Sequence, residues 1–356
     1  MVERRPIFDF SATGVGSVPF LNVEHTCRTI IHSLPIPFWP QFVKRSPLED
    51  MSIQYSEGLP RLEIIDEKRS LSVSLEKDPE AELVQFYEHF LNQDLNYFAM
   101  TPEYAPGLYK MLELVEQGVP QPNRFIKGQT VGPVTFLAGI PDTDGKPVLH
   151  NHELSEALVQ GLAIKALWQV HKLRDTGREA ILFIDEPYLS GFGSAFSPIE
   201  RHQVIDMLRT VIDYVRHHSE AYVGIHCCGN TDWAMIAEAG PDIINFDAFE
   251  YMDYFLLYST EIGRFLKTGG SIAWGMVPTA DFTGEETVEV LLEKLEEGIR
   301  RLQDWGIDPE SIACRSILTP ACGMGTMKTE AAENALALLV RLCHKASESL
   351  GSFRAS

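Results

Sequence analysis

The sequence lacks any run of eighteen apolar residues, so it predicts no membrane-spanning helix. It also lacks an apolar signal region near its start, because Met1–Pro6 continues into the alternating stretch Phe8–Phe10. Its six cysteines do not have the dense spacing of a disulfide framework, which is typical of a reducing compartment. We therefore expect a cytoplasmic protein.

Positive charge is scarce: 30 lysines and arginines stand against 50 aspartates and glutamates, for a net charge of −20. An acidic surface argues against nucleic acid and anionic membranes as partners, because both repel it. It also disfavours polyanionic ligands, unless a local basic pocket overrides the average. We expect a small-molecule partner instead.

No G-x-G-x-x-G fingerprint follows any predicted strand, which removes the main reason to expect a dinucleotide fold. Instead, strand-like and helix-like patterns alternate along nearly the whole chain of 356 residues, 45% of them hydrophobic. Continuous apolar strands separated by helices predict an α/β protein with a parallel sheet buried on both faces. Eight such units favour a single (β/α)8 TIM barrel, one catalytic domain over residues 1–356. The eight predicted strands are 12–17, 38–43, 125–129, 180–184, 221–226, 243–246, 271–274 and 312–318.

One segment departs from this alternation. Leu62–Asp66 and Leu71–Leu75 alternate apolar and polar residues on either side of Glu67–Arg69. This pattern predicts a β-hairpin inserted after the second strand, at about residues 60–77. A lid and a dimer contact are both open as its role, and the oligomeric state is open too.

Three soft ligands stand at predicted strand ends. His226 and Cys228 are two residues apart, so their side chains point to the same side of the strand while Cys227 points away. Cys322 follows another predicted strand. In a barrel these ends meet at one mouth, and one imidazole with two thiolates suits Zn²⁺ with an open position. The alternative is a hydrogen-bonded histidine and two unrelated buried thiols.

A carboxylate is a candidate for the fourth ligand. Asp247 directly follows the strand 243–246 and is preferred by position, with Glu250 as the alternative. A thiol that binds zinc at an open position loses its proton, because the ion lowers its pKa. Sulfur-rich zinc sites favour thiol alkylation, whereas hydrolytic sites use more histidine and carboxylate ligands.

A pair of acids, Asp185 and Glu186, follows the strand 180–184. At a barrel mouth such a pair is a candidate catalytic site, able to bind a substrate ammonium or to move protons. The alternative is an acid pair at a helix N-terminus, which needs no substrate.

Three further residues are candidate substrate contacts. Ser17 lies in the glycine-rich segment 14–19, where a ligand can approach the backbone closely, although a tight turn explains the same residues. Gln129 is the expected polar side chain after the third strand. Trp274 is a candidate apolar wall, with a plain core position as the alternative.

Several motifs together resemble the superfamily of uroporphyrinogen decarboxylase and cobalamin-independent methionine synthase. The likeness is closest to the catalytic, C-terminal barrel of the synthase, and the H-C-C-G-N-T segment also resembles the methylcobamide:coenzyme M methyltransferases. The motifs are G-V-G-S-V-P (14–19), K-G-Q-T-V-G-P-V-T (127–135), I-D-E-P (184–187), H-C-C-G-N-T (226–231), I-N-F-D (244–247) and P-A-C-G-M-G-T (320–326).

The resemblance implies a zinc-dependent methyltransferase whose acceptor is a thiol, most simply homocysteine, giving methionine. It maps zinc ligation onto His226, Cys228 and Cys322, and amino-acid contacts onto Ser17 and Asp185. The synthase carries a second barrel and a histidine in the segment that corresponds to 274–279, and this sequence has neither. The methyl donor is therefore open between methyltetrahydrofolate and a methylcorrinoid protein.

Two alternatives belong to other functional classes. One is a metal-free decarboxylase of the uroporphyrinogen type, which needs basic groups near its mouth to hold substrate carboxylates. The other is a non-catalytic barrel that binds a thiol or a metal.

Overall fold

The computed structural model describes residues 6–74, 78–118, 124–194 and 199–350. Its strands are β1 (Ser11–Ala12), β2 (Leu62–Ile65), β3 (Ser70–Val73), β4 (Phe125–Val131), β5 (Glu179–Asp185), β6 (Tyr222–Cys227), β7 (Ile243–Phe246), β8 (Ser271–Val277) and β9 (Ser316–Pro320). Its helices are α1 (Val23–Ser33), α2 (Met51–Ser56), α3 (Pro79–Leu91), α4 (Pro106–Glu116), α5 (Pro133–Ala138), α6 (His152–Arg174), α7 (Arg201–His218), α8 (Trp233–Ala239), α9 (Ala248–Phe255), α10 (Ser259–Lys267), α11 (Val288–Asp304), α12 (Pro309–Cys314) and α13 (Thr329–Leu350). None of these helices is both long and apolar enough to cross a membrane.

Seven strands form one curled sheet in the order β1-β9-β8-β7-β6-β5-β4, and every neighbouring pair is parallel. Helices alternate with these strands, and β4 and β8 are buried along their whole length. A parallel sheet buried on both faces is what helical crossovers produce. The prediction of a parallel α/β barrel is confirmed.

The second predicted strand, 38–43, is not a regular strand. Pro37 and Pro40 have no backbone N–H, so this segment cannot form a continuous ladder. It still bridges the two edge strands: the N–H of Ile36 donates to Ala12 O over 3.1 Å, and that of Trp39 donates to Lys127 O over 3.2 Å. The barrel therefore closes through isolated bridges at the eighth position. The first predicted strand is likewise regular only at β1, with one isolated bridge at residue 17.

The inserted hairpin is confirmed for the described residues. β2 and β3 pair antiparallel, with Leu62 opposite Val73, and a short 3₁₀ turn over Asp66–Lys68 joins them. Residues 75–77 of the predicted hairpin lie outside the described residues, as do residues 1–5 and 351–356 of the predicted domain.

An apolar cluster fills the barrel at the N-terminal ends of its strands. Each phenylalanine or isoleucine side chain in it contributes about 1.5–3 kcal/mol when fully buried. The cluster closes that end of the barrel, so a ligand reaches the interior only from the other end. Its members are Phe8, Ile36, Phe125, Ile181, Phe183, Ile243, Ala273 and Ile317.

Candidate metal centre

The structure brings His226, Cys228 and Cys322 together at the C-terminal ends of β6 and β9. One ligand atom from each residue lies within 4.8 Å of the other two. All three line a cavity of about 590 Å³ at the mouth of the barrel. His226 is buried, and the two cysteines are half-buried. The three side chains thus face one space that a small ligand can enter.

A hydrogen-bond chain orients the imidazole of His226. Its Nδ1 lies 2.6 Å from Oδ1 of Asn245. The amide group of Asn245 donates to Ala273 O over 2.8 Å and to Thr319 Oγ1 over 2.9 Å, so its oxygen is the atom that faces the imidazole. Nδ1 therefore donates to Asn245, and Nε2 is the nitrogen left for the cysteines; Cys228 beside the ring raises the pKa of His226 against the effect of burial. Nε2 is buried without a hydrogen-bond partner among the described residues, which suits a metal ligand.

The two thiols influence each other's ionisation. The hydrogen bond with Cys322 lowers the pKa of Cys228, and the neighbouring His226 lowers it further against the effect of burial. The same hydrogen bond, together with burial, raises the pKa of Cys322. These shifts favour the thiolate at Cys228 and the thiol at Cys322, and a divalent cation bound there would favour the thiolate at both. Cys227 is turned away, with its Sγ 3.6 Å from Gly229 O, and burial raises its pKa to about 12.

Asp185 stands at the end of β5 and lines the same cavity. Its carboxylate is 5% exposed, and Oδ1 has no hydrogen-bond partner within the described part of the chain. Burial raises its pKa to about 6, while His226 and Lys127 act in the opposite direction. An unpaired buried carboxylate oxygen that faces a cavity is suited to a cationic group of a ligand.

Glu186, the other candidate acid, is fully buried and turned away from the cavity. It accepts hydrogen bonds from the backbone N–H of Val134 over 2.9 Å and of Thr135 over 2.8 Å, and from Thr135 Oγ1 over 2.6 Å. Burial raises its pKa to about 7 against these hydrogen bonds. Glu186 therefore accepts hydrogen bonds from the first N–H groups of α5. This contact resembles the alternative interpretation of the acid pair, in which an acid lies at a helix N-terminus.

Ser17 lines the cavity and joins two loops of the mouth. Its carbonyl accepts from the N–H of Met324 over 2.9 Å, and its Oγ accepts from that of Gly325 over 3.3 Å. A Cβ at Gly323 would lie 2.2 Å from this Oγ, so a side chain next to Cys322 would displace the hydroxyl of Ser17. Ser17 thus fixes the loop that carries the second thiol.

Gln129 and Trp274 do not line the cavity. Gln129 lies below the mouth, where its amide donates to Trp39 O over 3.1 Å. Trp274 packs against Phe246 in the core and donates to Ser316 Oγ over 3.0 Å. Both side chains support the barrel, so the plain core interpretation describes Trp274.

The fourth ligand stays a prediction. Oδ1 of Asp247 accepts from the N–H of Glu250 over 2.9 Å and so caps α9. Asp247 is 8% exposed, and burial raises its pKa to about 6, with Cys228 adding to the shift. Glu250 is exposed. Neither carboxylate belongs to the close group formed by the histidine and the two cysteines.

No protein-family model matches the chain, and no curated protein sequence matches it. Among solved structures, the chain is similar to a GH113 beta-mannanase from Alicyclobacillus acidocaldarius, solved in complex with ManMIm. That likeness has 12% identity and a TM-score of 0.37, and covers 69% of this chain and 78% of the mannanase. A likeness this weak says nothing about what the chain binds.

Proposed function

We propose that this protein is a zinc-dependent S-methyltransferase that transfers a methyl group to a thiol, with homocysteine as the expected acceptor and methionine as the product. The observation that carries the proposal is the convergence of His226, Cys228 and Cys322 on one cavity. The donor set fits zinc, because it combines one imidazole nitrogen with two sulfurs and leaves the cavity side open.

Zinc bound there would supply a Lewis acid that holds the acceptor sulfur as a thiolate at neutral pH. The protein's own contribution is to orient the ligands and the acceptor. Asn245 fixes the tautomer of His226, so the nitrogen with the lone pair faces the cysteines. Asp185 binds the ammonium of the acceptor, since this acid lines the cavity and its buried Oδ1 has no hydrogen-bond partner among the described residues. The acceptor sulfur is thereby held in one place.

The proposed reaction is a displacement at the methyl carbon. The thiol proton is released to solvent before the transfer. A sulfur lone pair then forms the new S–C bond while the bond from the methyl group to the donor breaks. The electron pair of the broken bond stays on the donor, either the nitrogen of a methyltetrahydrofolate or the cobalt of a methylcorrinoid.

The experiment that tests the metal site is zinc analysis of protein purified without added metal. The parent protein is expected to contain stoichiometric zinc, and Cys322→Ser to lose most of it. Cys314→Ser is the matched control, because Cys314 is another half-buried thiol, placed before β9 at the opposite end of the strand. Zinc-free parent protein, or equal zinc in both variants, would sink the proposal.

The accompanying assay follows the methylation of homocysteine with methyltetrahydrofolate, methylcobalamin and S-methylmethionine. Turnover with one donor supports the proposal and identifies the donor class. A zinc-containing protein that turns over none of them would favour the non-catalytic alternative.

The decarboxylase alternative has one observation in its favour, because Lys44 and Arg69 line the outer part of the cavity. Two cations are few for a tetrapyrrole that carries several carboxylates. Tight binding of a porphyrinogen to the metal-free protein would revive this alternative.

A further inference from the structure

The outer end of the cavity carries cationic side chains, whereas its inner end carries an acid and soft ligands. Among the described residues that line the cavity, the lysine and the arginine are Lys44 and Arg69. Lys44 follows the segment that closes the barrel, and Arg69 stands at the tip of the β2–β3 hairpin. In a chain with a net charge of −20, this rim reverses the prevailing sign.

Arg69 is held at the rim by a bidentate ion pair. Its Nε and Nη2 donate to the carboxylate of Asp50 over 2.9 and 2.8 Å, and Nη2 also donates to Val43 O over 2.7 Å. Its φ of 47° lies in the left-handed region, which costs energy for a residue with a side chain. The fork fixes the guanidinium plane, and Nη1 makes no hydrogen bond within the described residues.

Lys44 directly follows Val43, whose carbonyl accepts a hydrogen bond from Arg69. Its Nζ donates to Met327 O, five residues after Cys322, and an ammonium has two more donors to offer. That contact is with a neutral carbonyl, and Lys44 has no ion pair among the described residues. At the described part of this rim, two cations, Lys44 and Arg69, stand against one acid, Asp50.

The cavity is larger than the thiol acceptor alone requires, so the rim lies beyond the acceptor. A volume of about 590 Å³ lies within the range of pockets that bury drug-sized ligands. Homocysteine at the metal centre fills the inner end alone, so the outer end belongs to the second substrate. That substrate must also tolerate the cationic rim.

We propose that Lys44 and Arg69 form an anion subsite that binds a carboxylate or phosphate group of the methyl donor. This inference rests on the proposed function and names the class of its donor: a small molecule or cofactor whose methyl group reaches the metal centre while its anionic group binds at the rim. It also gives the hairpin a role in this chain, because the hairpin brings Arg69 to the cavity.

The test measures donor binding to the zinc-loaded protein by equilibrium dialysis, and the KM of each donor in turnover. The two probes are methyltetrahydrofolate, which carries carboxylates, and methylcobalamin, which carries a phosphate diester. Arg69→Gln and Lys44→Gln are each expected to raise the Kd of one of the two probes about tenfold, because each substitution removes one hydrogen bond to a charged group. The probe whose binding weakens identifies the anion as carboxylate or phosphate. In turnover, kcat is expected to change less than KM.

Arg28→Gln is the matched control. Arg28 also donates two hydrogen bonds to one carboxylate, from Nε and Nη2 to Oε1 of Glu24 over 2.9 and 2.8 Å, and its side chain is 43% exposed against 46% for Arg69. It lies on α1, away from the cavity, so its loss removes the same charge and is expected to leave binding of both probes unchanged. Equal weakening by Arg28→Gln and Arg69→Gln would show a general charge effect and overturn the subsite.

Iodomethane separates failure of the subsite from failure of the proposed function, because it has no anionic group. If the parent protein accelerates its reaction with homocysteine while Arg69→Gln and Lys44→Gln bind both probes as the parent does, the subsite is wrong and the methyltransferase stands. If the parent protein accelerates methylation by none of the donors, the proposed function fails first.

Discussion

The two ends of the barrel interior differ in the side chains that they bury. At the N-terminal ends of the strands, aromatic and aliphatic side chains such as Phe183 and Ile181 fill the space. At the C-terminal ends, His226 Nε2 and Asp185 Oδ1 are buried without hydrogen-bond partners in the described part of the chain. Leaving such an atom unpaired costs about 1–3 kcal/mol. The lower end therefore stabilises the fold, whereas the mouth contains groups that lower its stability.

The largest expected effect is a loss of stability when a side chain at the N-terminal end of the barrel is truncated. Ile181→Ala, in the apolar cluster, is expected to lower the free energy of unfolding by about 2–5 kcal/mol, because it opens a cavity in a packed interior. Its zinc content, measured on folded protein, should match that of the parent. Chemical denaturation gives the stability. Loss of zinc without loss of stability would show that the cluster contributes to the metal site, and would contradict the difference between the two ends.

The next effect concerns Asp185, four residues further along the same strand. Asp185→Asn is expected to lower kcat/KM for homocysteine by roughly a hundredfold, because the acceptor's ammonium loses its buried partner. With 2-mercaptoethanol, which has no ammonium, parent and variant should react alike. An equal loss with both thiols would assign Asp185 to something other than binding the ammonium.

The smallest effect, counted per pH unit, concerns Lys127, which lies between the two ends. Its Nζ is fully buried, donates to Val15 O over 2.6 Å and lies 4.5 Å from the centre of the Phe183 ring. Burial lowers its pKa from 10.5 to about 7. Between about pH 7 and 10 the unfolded chain holds a proton that the folded chain lacks, so the lysine makes the free energy of unfolding rise with pH by up to about 1.4 kcal/mol per unit.

Lys127→Met is expected to remove this rise, which urea denaturation at several pH values would measure. Lys165→Met is the matched comparison, because Lys165 is equally buried, donates to Phe98 O, and has a pKa lowered to about 8. Its contribution should begin about one pH unit higher. Identical pH profiles for Lys127→Met and the parent would mean that Lys127 stays charged in the folded protein.

The strand order and the three soft ligands were predictable because they depend on local patterns. Apolar runs give parallel strands, and the spacing of His226 and Cys228 gives a shared side. The same alternation explains the misplaced Trp274. Cys227, Phe246 and Trp274 are paired in register across β6, β7 and β8, so Trp274 shares the outward direction of Cys227. That register depends on how strands pair, which one sequence does not reveal.

Other parts of the site depend on how far a residue lies below the barrel mouth, and on contacts between segments that are distant in the sequence. Gln129 pairs with Phe183, two residues below the level of Asp185, so it lies beneath the mouth. Asn245 was part of a recognised motif, but its hydrogen bond to the imidazole became visible only when β6 and β7 were paired. Arg69 reaches the cavity from an insertion, where no periodic pattern points to the barrel. The irregular second strand was foreshadowed by its prolines.

The central claim is that His226, Cys228 and Cys322 hold a zinc ion with a position open for a thiol. Zinc X-ray absorption of the purified protein tests it directly. The expected spectrum has two sulfur ligands at about 2.3 Å and at least one nitrogen at about 2.0–2.1 Å. Adding homocysteine should raise the sulfur count from two to three. A spectrum that homocysteine leaves unchanged, or one without sulfur ligands, would contradict the account.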